Sequence, residues 1–246
     1  MVVLGMHRSG TSLLAAMLAE LGVDMGEDAF GATAFNPTGH FEDEQFVHIN
    51  NKLLKTAGGS WALPPAVGSI LEASQKLTVE IQSSLENRPD LFGFKDPRTC
   101  LTLQAWFTYL KTPYFIICNR SKDSVARSLK ERNGWSLERG LMLCDQYESR
   151  IKDIKEQYPT IPCFELEYTE LLKSPVDILS QIQAFLKLPD DGSAVQRASR
   201  LVVSRKTIKK VKRKHMLKQA VCHPYKILPF FIGRCAVIFK RLKGGV

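Results

Sequence analysis

The sequence predicts an α/β fold with a central, mostly parallel sheet, and two segments of its 246 residues carry that prediction. The apolar segment 2–4 leads directly into a glycine-bearing loop and then into 11–21, where apolar residues recur at helical spacing. Strand, loop and helix in this order form the first half of a β-α-β unit. The segment 114–118 is an unbroken apolar run, which is typical of a strand buried on both faces of a parallel sheet.

The rest of the chain continues the alternation of strands and helices, which implies right-handed crossovers and helices on the faces of the sheet. The turn residues Asn36-Pro37-Thr38-Gly39 interrupt it once, before the first long helix. We predict further strands at 91–94 and 161–166, and helices at 42–55, 69–86, 101–110, 121–131, 137–157, 169–173 and 175–186.

Positive charge is concentrated at the C-terminal end of the chain. The net charge is +9, and 13 of the 34 basic residues lie in 204–246, which contains no acidic residue, so elsewhere 25 acidic residues outnumber 21 basic ones. We therefore divide the chain into a domain over 1–203 and a basic, amphipathic tail over 204–246. Apolar segments flanked by basic ones predict peripheral contact with an anionic membrane surface. A solvated basic face and a site for a polyanionic acceptor are the alternatives.

Composition restricts the classes of protein further. The sequence has no apolar run of about 18 residues, and its N-terminus lacks the basic region and cleavage pattern of a signal peptide. We expect a cytoplasmic protein, held at the inner face of the membrane only through the tail. No nucleic-acid motif accompanies the basic charge, so we expect no nucleic-acid partner. The six cysteines are widely spaced, which indicates free thiols and no metal site.

The loop Gly5-Met6-His7-Arg8-Ser9-Gly10-Thr11-Ser12 is the first candidate binding site. It matches the nucleotide-binding pattern G-x-x-x-x-G-K-[ST] at both glycines and at the final serine, but Thr11 stands where that pattern has lysine. The missing lysine argues against ATP chemistry. Backbone N–H groups at the start of a helix still form an anion cradle, and Arg8 adds a guanidinium suited to two adjacent anionic oxygens. The loop predicts a P-loop-like, three-layer fold.

A second candidate site follows the strand at 114–118. Arg120 comes just after the carboxyl end of that strand, where open α/β sheets bind ligands. Ser128 follows eight positions later, on the helix that begins there. The pair could therefore hold one anionic group from two sides.

Together the two sites resemble those of sulfotransferases that use 3′-phosphoadenosine 5′-phosphosulfate (PAPS). The loop is similar to their 5′-phosphosulfate loop, in the arginine-containing version of bacterial members and tyrosylprotein sulfotransferases, and Arg120 with Ser128 resembles their 3′-phosphate motif. The resemblance implies transfer of a sulfuryl group to an acceptor hydroxyl without a metal, leaving adenosine 3′,5′-bisphosphate. It implies that PAPS is bound by His7, Arg8, Ser9, Gly10, Thr11, Ser12, Arg120 and Ser128.

Two more segments extend this resemblance over about residues 1–190. Lys95-Asp96-Pro97-Arg98 is similar to a K-D-P-R segment of many bacterial-type sulfotransferases, and 167–172 resembles another family segment. A strand end that carries Lys95 and Arg98 directs both charges towards the ligand crevice, so we place both in the substrate site. The alternative is a helix cap by Asp96 with Arg98 in a structural ion pair.

An acceptor hydroxyl needs a general base within hydrogen-bond reach, and the family uses a glutamate or a histidine. The segment 36–43 resembles the acceptor-side segment of bacterial members. We predict Glu42 as the base, with His40 and Asp43 as alternatives, and Arg8 as the group that stabilises the leaving phosphate. Alternatively, Glu42 and Asp43 only occupy the first turn of a helix, where acidic residues are favoured.

Three classes of function follow from these observations. The first is a sulfotransferase, with a carbohydrate or glycolipid as the favoured acceptor. The second is a P-loop kinase or NTPase, which Thr11 and the lack of a clear Mg²⁺-binding aspartate disfavour. The third is a non-catalytic membrane-binding protein on a degenerate P-loop scaffold, which only the tail supports.

Overall fold

The computed structural model describes residues 1–26, 39–189 and 192–202. Its sheet has four parallel strands, as the sequence predicts. Val2 is aligned with Phe94 on one side and with Phe115 on the other, so the first strand lies inside the sheet between the second and third. The strands are β1 (Val2–Leu4), β2 (Phe94–Lys95), β3 (Phe115–Asn119) and β4 (Cys163–Glu167), in the spatial order β2-β1-β3-β4.

Helices connect the strands and cover both faces of the sheet, which confirms the predicted α/β class. In the described residues they are α1 (Thr11–Glu20), α2 (Glu44–Thr56), α3 (Val67–Gln75), α4 (Thr78–Leu85), α5 (Thr99–Phe107), α6 (Lys122–Asn133), α7 (Leu137–Gln157), α8 (Tyr168–Lys173), α9 (Pro175–Phe185) and α10 (Ala194–Ser199).

Alternation along the strands divides the apolar core between the two faces. Val2 and Leu4 point into one cluster, with side chains from α2 to α7, whereas Val3 points into the other, with side chains from α1, α8, α9 and α10. On the first face, Phe46 stacks on Phe94 at 4.3 Å and on Trp106 at 5.0 Å between ring centroids. These rings fix α2 against β2 and α5, and so place the residues that precede α2.

Some predicted boundaries are wrong. The helix predicted over 69–86 is two helices, α3 and α4, because Thr78 Oγ1 donates to the carbonyls of Ser74 and Gln75 and satisfies the end of α3. The strand predicted at 91–94 begins only at Phe94, because the residues before it pair with Asp24 in an isolated bridge. The sequence also gave no signal for α10.

Two predicted features fall outside the described residues, namely the basic tail over 204–246 and most of the turn at 36–39. In the part of the chain that the structure does describe, no helix has the length and apolar character needed to cross a membrane.

Candidate active site

The loop that follows β1 is shaped by tight backbone contacts. Ser9 N donates to Met6 O over 3.0 Å, and Gly5 N donates to Cys100 Sγ over 3.2 Å. A Cβ on Gly5 would lie 2.7 Å from Ser9 Oγ and 2.8 Å from Cys118 O, so only glycine fits there. Arg8 adopts a left-handed φ of 72°, which is uncommon for a residue with a side chain. This loop is therefore held in one conformation by its surroundings.

Gly10 joins the loop to α1 with a left-handed φ of 108°. A Cβ there would lie 2.1 Å from Cδ2 of Tyr168, so the tyrosine ring lies directly against the loop. The start of α1 has no side-chain cap and no acidic residue in its first turn. No acidic side chain of α1 therefore neutralises the positive end of the helix dipole, which leaves that end available to an anion.

The structure brings the two predicted binding sites into contact. Because β1 and β3 are neighbours, the loop after β1 lies beside the residues that follow β3. Arg8 Nε donates to Ser128 Oγ over 2.9 Å, and Arg120 Nη1 donates to the carbonyl of Arg8 over 2.6 Å. The Arg120 guanidinium also lies over the Tyr168 ring, 5.0 Å from its centroid. Burial, with the charges of Arg132 and Arg120, lowers the pKa of Arg8 to about 10, so Arg8 remains a cation at neutral pH.

The predicted acceptor-side residues meet the loop from the other side. The Lys95 side chain is fully buried at the end of β2, where Nζ donates to Glu42 Oε1 over 2.7 Å and to Ser12 Oγ over 3.2 Å. Arg98 Nη1 lies 2.7 Å from Asp96 Oδ1 and 3.7 Å from Glu42 Oε2. The structural ion pair considered for Arg98 is thus present, and Arg98 also faces Glu42.

A family model described as the sulfotransferase family matches residues 1–192. The chain belongs to the sulfotransferase family. A search of curated proteins found no match.

The solved structures similar to this one include three sulfotransferases. The sulfotransferase domain from the curacin biosynthetic pathway is 18% identical, with 80% of this chain and 76% of that chain covered and a TM-score of 0.48. The domain from the Synechococcus PCC 7002 olefin synthase is 18% identical, with 79% and 74% covered and a TM-score of 0.48. Sulfotransferase STF9 from Mycobacterium avium is 13% identical, with 89% and 76% covered and a TM-score of 0.47.

Beneath the ion pairs, Asn50 of this sulfotransferase joins α2 to the segment after β2. It is fully buried, and its amide donates to Asp96 Oδ2 over 2.8 Å and to Thr99 Oγ1 over 3.1 Å. Its carbonyl oxygen accepts from Thr102 Oγ1 over 2.6 Å and from Trp106 Nε1 over 2.9 Å. The only sequence signal for this role was a polar residue within the apolar stripe of α2.

The carboxylate that Asn50 orients is itself fully buried. Burial, with the charge of Glu42, raises the pKa of Asp96 above its usual value, although Arg98 and the hydrogen bond from Asn50 oppose this shift. Asp96 in turn accepts from both the backbone N–H and the guanidinium of Arg98. The hydrogen bonds from Asn50 to Asp96 and from Arg98 to Asp96 therefore fix the orientation of the Arg98 side chain.

The two alternatives to Glu42 as base have different surroundings. Asp43 is the N-cap of α2, where Oδ1 accepts from Gln45 N over 2.9 Å, and Oδ2 accepts from Arg88 Nη1 over 3.1 Å. Glu42 therefore precedes the helix, and its position is not explained by a favourable first turn. His40 is half-buried, two residues before Glu42.

His7 is buried at the back of the loop. Its ring centroid is 4.4 Å from that of Trp61 and 6.1 Å from that of Tyr147. Burial holds the pKa of His7 well below its usual value, and the positive charges of Arg98 and Arg132 lower it further. Its ring is therefore neutral at neutral pH, and its Nε2 has no hydrogen-bond partner among the residues described.

Sequence motifs gave no indication of three residues around this site: Trp61, Arg132 and Tyr147. The Arg132 guanidinium lies over the Trp61 ring, 5.3 Å from its centroid, and the Tyr147 hydroxyl donates to Trp61 O over 3.0 Å. They come from two helices and a loop, so no local pattern connects them. Across the described ranges, no group of three or more His, Cys, Asp or Glu residues is placed to hold a metal ion.

Proposed function

We propose that this sulfotransferase takes a sulfuryl group from PAPS and transfers it to an acceptor hydroxyl. The contact of Arg8 with Ser128 carries the proposal, because it joins the loop suited to a phosphosulfate with the pair suited to a 3′-phosphate. Arg120, the other member of that pair, donates to the carbonyl of Arg8. Both ends of one donor molecule could thus be held by residues already in contact.

The residues of the loop suit a donor of this charge. The first turn of α1 presents backbone N–H groups and contains no acidic residue, so an anion can bind there. Arg8 adds a positive charge beside this turn. PAPS supplies an activated sulfuryl group whose departure leaves charge on a phosphate. In the proposal, Arg8 and the loop N–H groups stabilise that charge, and Arg120 and Ser128 hold the 3′-phosphate.

Glu42 is the proposed general base of the reaction. Lys95 contacts both Glu42 and Ser12, so one buried ammonium fixes the carboxylate relative to the donor loop. Oε1 is engaged by Lys95, and Oε2 would take the proton of the acceptor hydroxyl. Arg98 stands beside Oε2 and belongs in this proposal to the substrate site. His40 stays the alternative base.

The acceptor and the cellular location belong to the same proposal. We favour a carbohydrate or glycolipid hydroxyl, in a cytoplasmic protein whose basic segment 204–246 lies on an anionic membrane surface. Flotation with anionic liposomes, comparing the full chain with one that ends at 204, tests the membrane part. We expect only the full chain to float, and equal flotation would contradict that part.

Thermal shift tests the donor. We expect adenosine 3′,5′-bisphosphate to raise the Tm clearly, and ADP or ATP with Mg²⁺ to raise it little, because only the former carries a 3′-phosphate. Arg120→Ala should remove this selectivity. Arg127→Ala is the matched control, since Arg127 is an exposed arginine of α6, the helix that begins two residues after Arg120. Equal shifts with ATP in the unaltered protein would contradict the proposal.

A further inference from the structure

Arg132 is a site residue to which neither binding motif assigns a role. It lies on α6 four positions after Ser128, so both side chains leave the same face of the helix about 6 Å apart along its axis. The ring of Trp61 lies under its guanidinium, and Trp135 stacks on Trp61 at 5.2 Å between centroids. These aromatic contacts hold the arginine at the edge of the site.

The other cations of the site have an anion to bind. Lys95 and Arg98 are paired with Glu42 and Asp96. Arg8 and Arg120 are assigned to the phosphosulfate and the 3′-phosphate of the donor.

Arg132 differs from these cations. In residues 1–26, 39–189 and 192–202 it makes no ion pair, and its Nε donates only to the neutral Oδ1 of Asn133, over 2.8 Å. It is half-buried, and a desolvated guanidinium without a counter-ion is unfavourable. An anionic ligand at this position would supply the missing counter-ion.

The charged neighbours of Arg132 indicate whether the anionic group belongs to the donor or to the acceptor. Burial lowers the pKa of Arg132. Among its charged neighbours, the Glu42 carboxylate raises that pKa and Arg98 lowers it, so Arg132 is close enough to interact with the proposed base and with Arg98. Arg132 lies one turn beyond Ser128 on α6, and its charge also lowers the pKa of Arg8, so it is close both to the donor loop and to Glu42. An acceptor whose hydroxyl reaches the proposed base Glu42 would therefore also come close to Arg132.

We propose that Arg132 binds an anionic group of the acceptor, a carboxylate, phosphate or sulfate close to the reacting hydroxyl. This inference rests on the proposed function and narrows its acceptor to an anionic class. The planar guanidinium can donate two parallel hydrogen bonds to such a group, which fixes the orientation of the acceptor as well as its affinity.

Fractionation before labelling tests the acceptor class. A small-molecule and glycan extract of the source cells is separated by anion exchange into unretained and retained fractions. Each is then incubated with the protein and PAPS labelled in the sulfuryl group. We expect label in acceptors of the retained fraction, and prior phosphatase treatment distinguishes phosphate esters from carboxylates and sulfates. Label only in unretained acceptors would overturn the inference. A protein that binds adenosine 3′,5′-bisphosphate but labels neither fraction would overturn the proposed transfer, and this inference with it.

Variants of Arg132 then test the residue itself. With the retained acceptor, we expect Arg132→Gln to raise KM about tenfold or more, Arg132→Lys to raise it less, and the affinity for adenosine 3′,5′-bisphosphate to stay unchanged. Arg127→Gln on the same helix is the matched control and should leave KM unchanged. Loss of bisphosphate affinity in Arg132→Gln would assign the arginine to the donor. An unchanged KM would show that it only packs on Trp61. Either result would overturn the inference.

Discussion

Arg8 and Ser128 are joined by a 2.9 Å hydrogen bond from guanidinium Nε to hydroxyl Oγ, although 120 positions separate them in the chain. Arg120, at the start of the same segment as Ser128, donates to the carbonyl of Arg8. The loop after β1 and the residues after β3 therefore form one surface. A substitution in the loop after β1 should therefore alter the affinity of a ligand bound to the residues after β3, and the reverse should also hold.

Ser128→Ala should reduce the preference for adenosine 3′,5′-bisphosphate over adenosine 5′-monophosphate about tenfold or more. The variant removes a hydroxyl from the proposed 3′-phosphate site, and a hydrogen bond to a charged group contributes about 1.5–3 kcal/mol. Isothermal titration calorimetry with the two nucleotides measures the ratio. Ser124→Ala is the control, because the Ser124 hydroxyl meets that of Ser121 instead. An unchanged ratio in Ser128→Ala would remove this serine from the donor site.

Glu42→Gln should lower kcat about a hundredfold or more while the affinity for adenosine 3′,5′-bisphosphate changes little, because an amide cannot take the acceptor proton. Lys95 would also lose its buried carboxylate partner, so we expect a lower Tm. Kinetics at a temperature well below that Tm separate the two effects. Near-normal turnover in the folded variant would contradict the role of Glu42.

Asp43→Asn and His40→Gln complete that comparison. Asp43 caps α2 and pairs with Arg88, so its replacement should cost about 1 kcal/mol of stability or less and leave kcat unchanged. Thermal unfolding and turnover are measured on the same samples. If His40→Gln, and not Glu42→Gln, lowers kcat, the base is His40.

Asn50→Ala should destabilise the fold by roughly 3 kcal/mol or more. It would leave Asp96 Oδ2 and Trp106 Nε1 without their buried partners, at about 1–3 kcal/mol each, and would remove one of the two hydrogen bonds of Thr102. Urea unfolding measures the loss. Asn51→Ala, on the exposed face of the same helix, is the control and should change stability by less than about 0.5 kcal/mol. Equal losses in both variants would contradict a structural role for the Asn50 network.

The stability of the protein should fall as the pH drops below about 6.5, the usual pKa of histidine. His7 has a folded pKa well below that value because of burial. The unfolded chain then binds a proton that the folded protein does not, which costs up to about 1.4 kcal/mol per pH unit. Urea unfolding between pH 7.5 and 5 measures the slope. His7→Gln should reduce it, the exposed His48→Gln should not, and identical slopes in all three proteins would refute the prediction.

Much of the fold was predictable from the sequence because its signals are local. The boundaries of α7, Leu137–Gln157, agree with the prediction, since its apolar periodicity is long and Ser136 caps its start. The break between α3 and α4 was missed, because helical periodicity continues through Leu77 and Ile81 on the same buried face. There the hydrogen bonds of Thr78, rather than hydrophobic patterning, end the first helix.

The sequence by itself predicted the residues of the proposed donor side. Gly5 to Ser12 and Arg120 with Ser128 each follow a short apolar strand, and parallel neighbouring strands bring their carboxyl ends to one edge of the sheet. The sequence predicts both strands, whereas their adjacency is seen only in the structure. Before that, the resemblance to PAPS-dependent sulfotransferases was what assigned the two groups to one site.

Only the tertiary structure showed the contacts made on the proposed acceptor side. The pairing of Glu42 with Lys95, the support of Asp96 by Asn50 and the position of Arg132 over Trp61 all join segments distant in sequence. Such contacts depend on which helices cover each face of the sheet and how their side chains interlock. Those arrangements arise from the packing of the whole core, which no local pattern encodes.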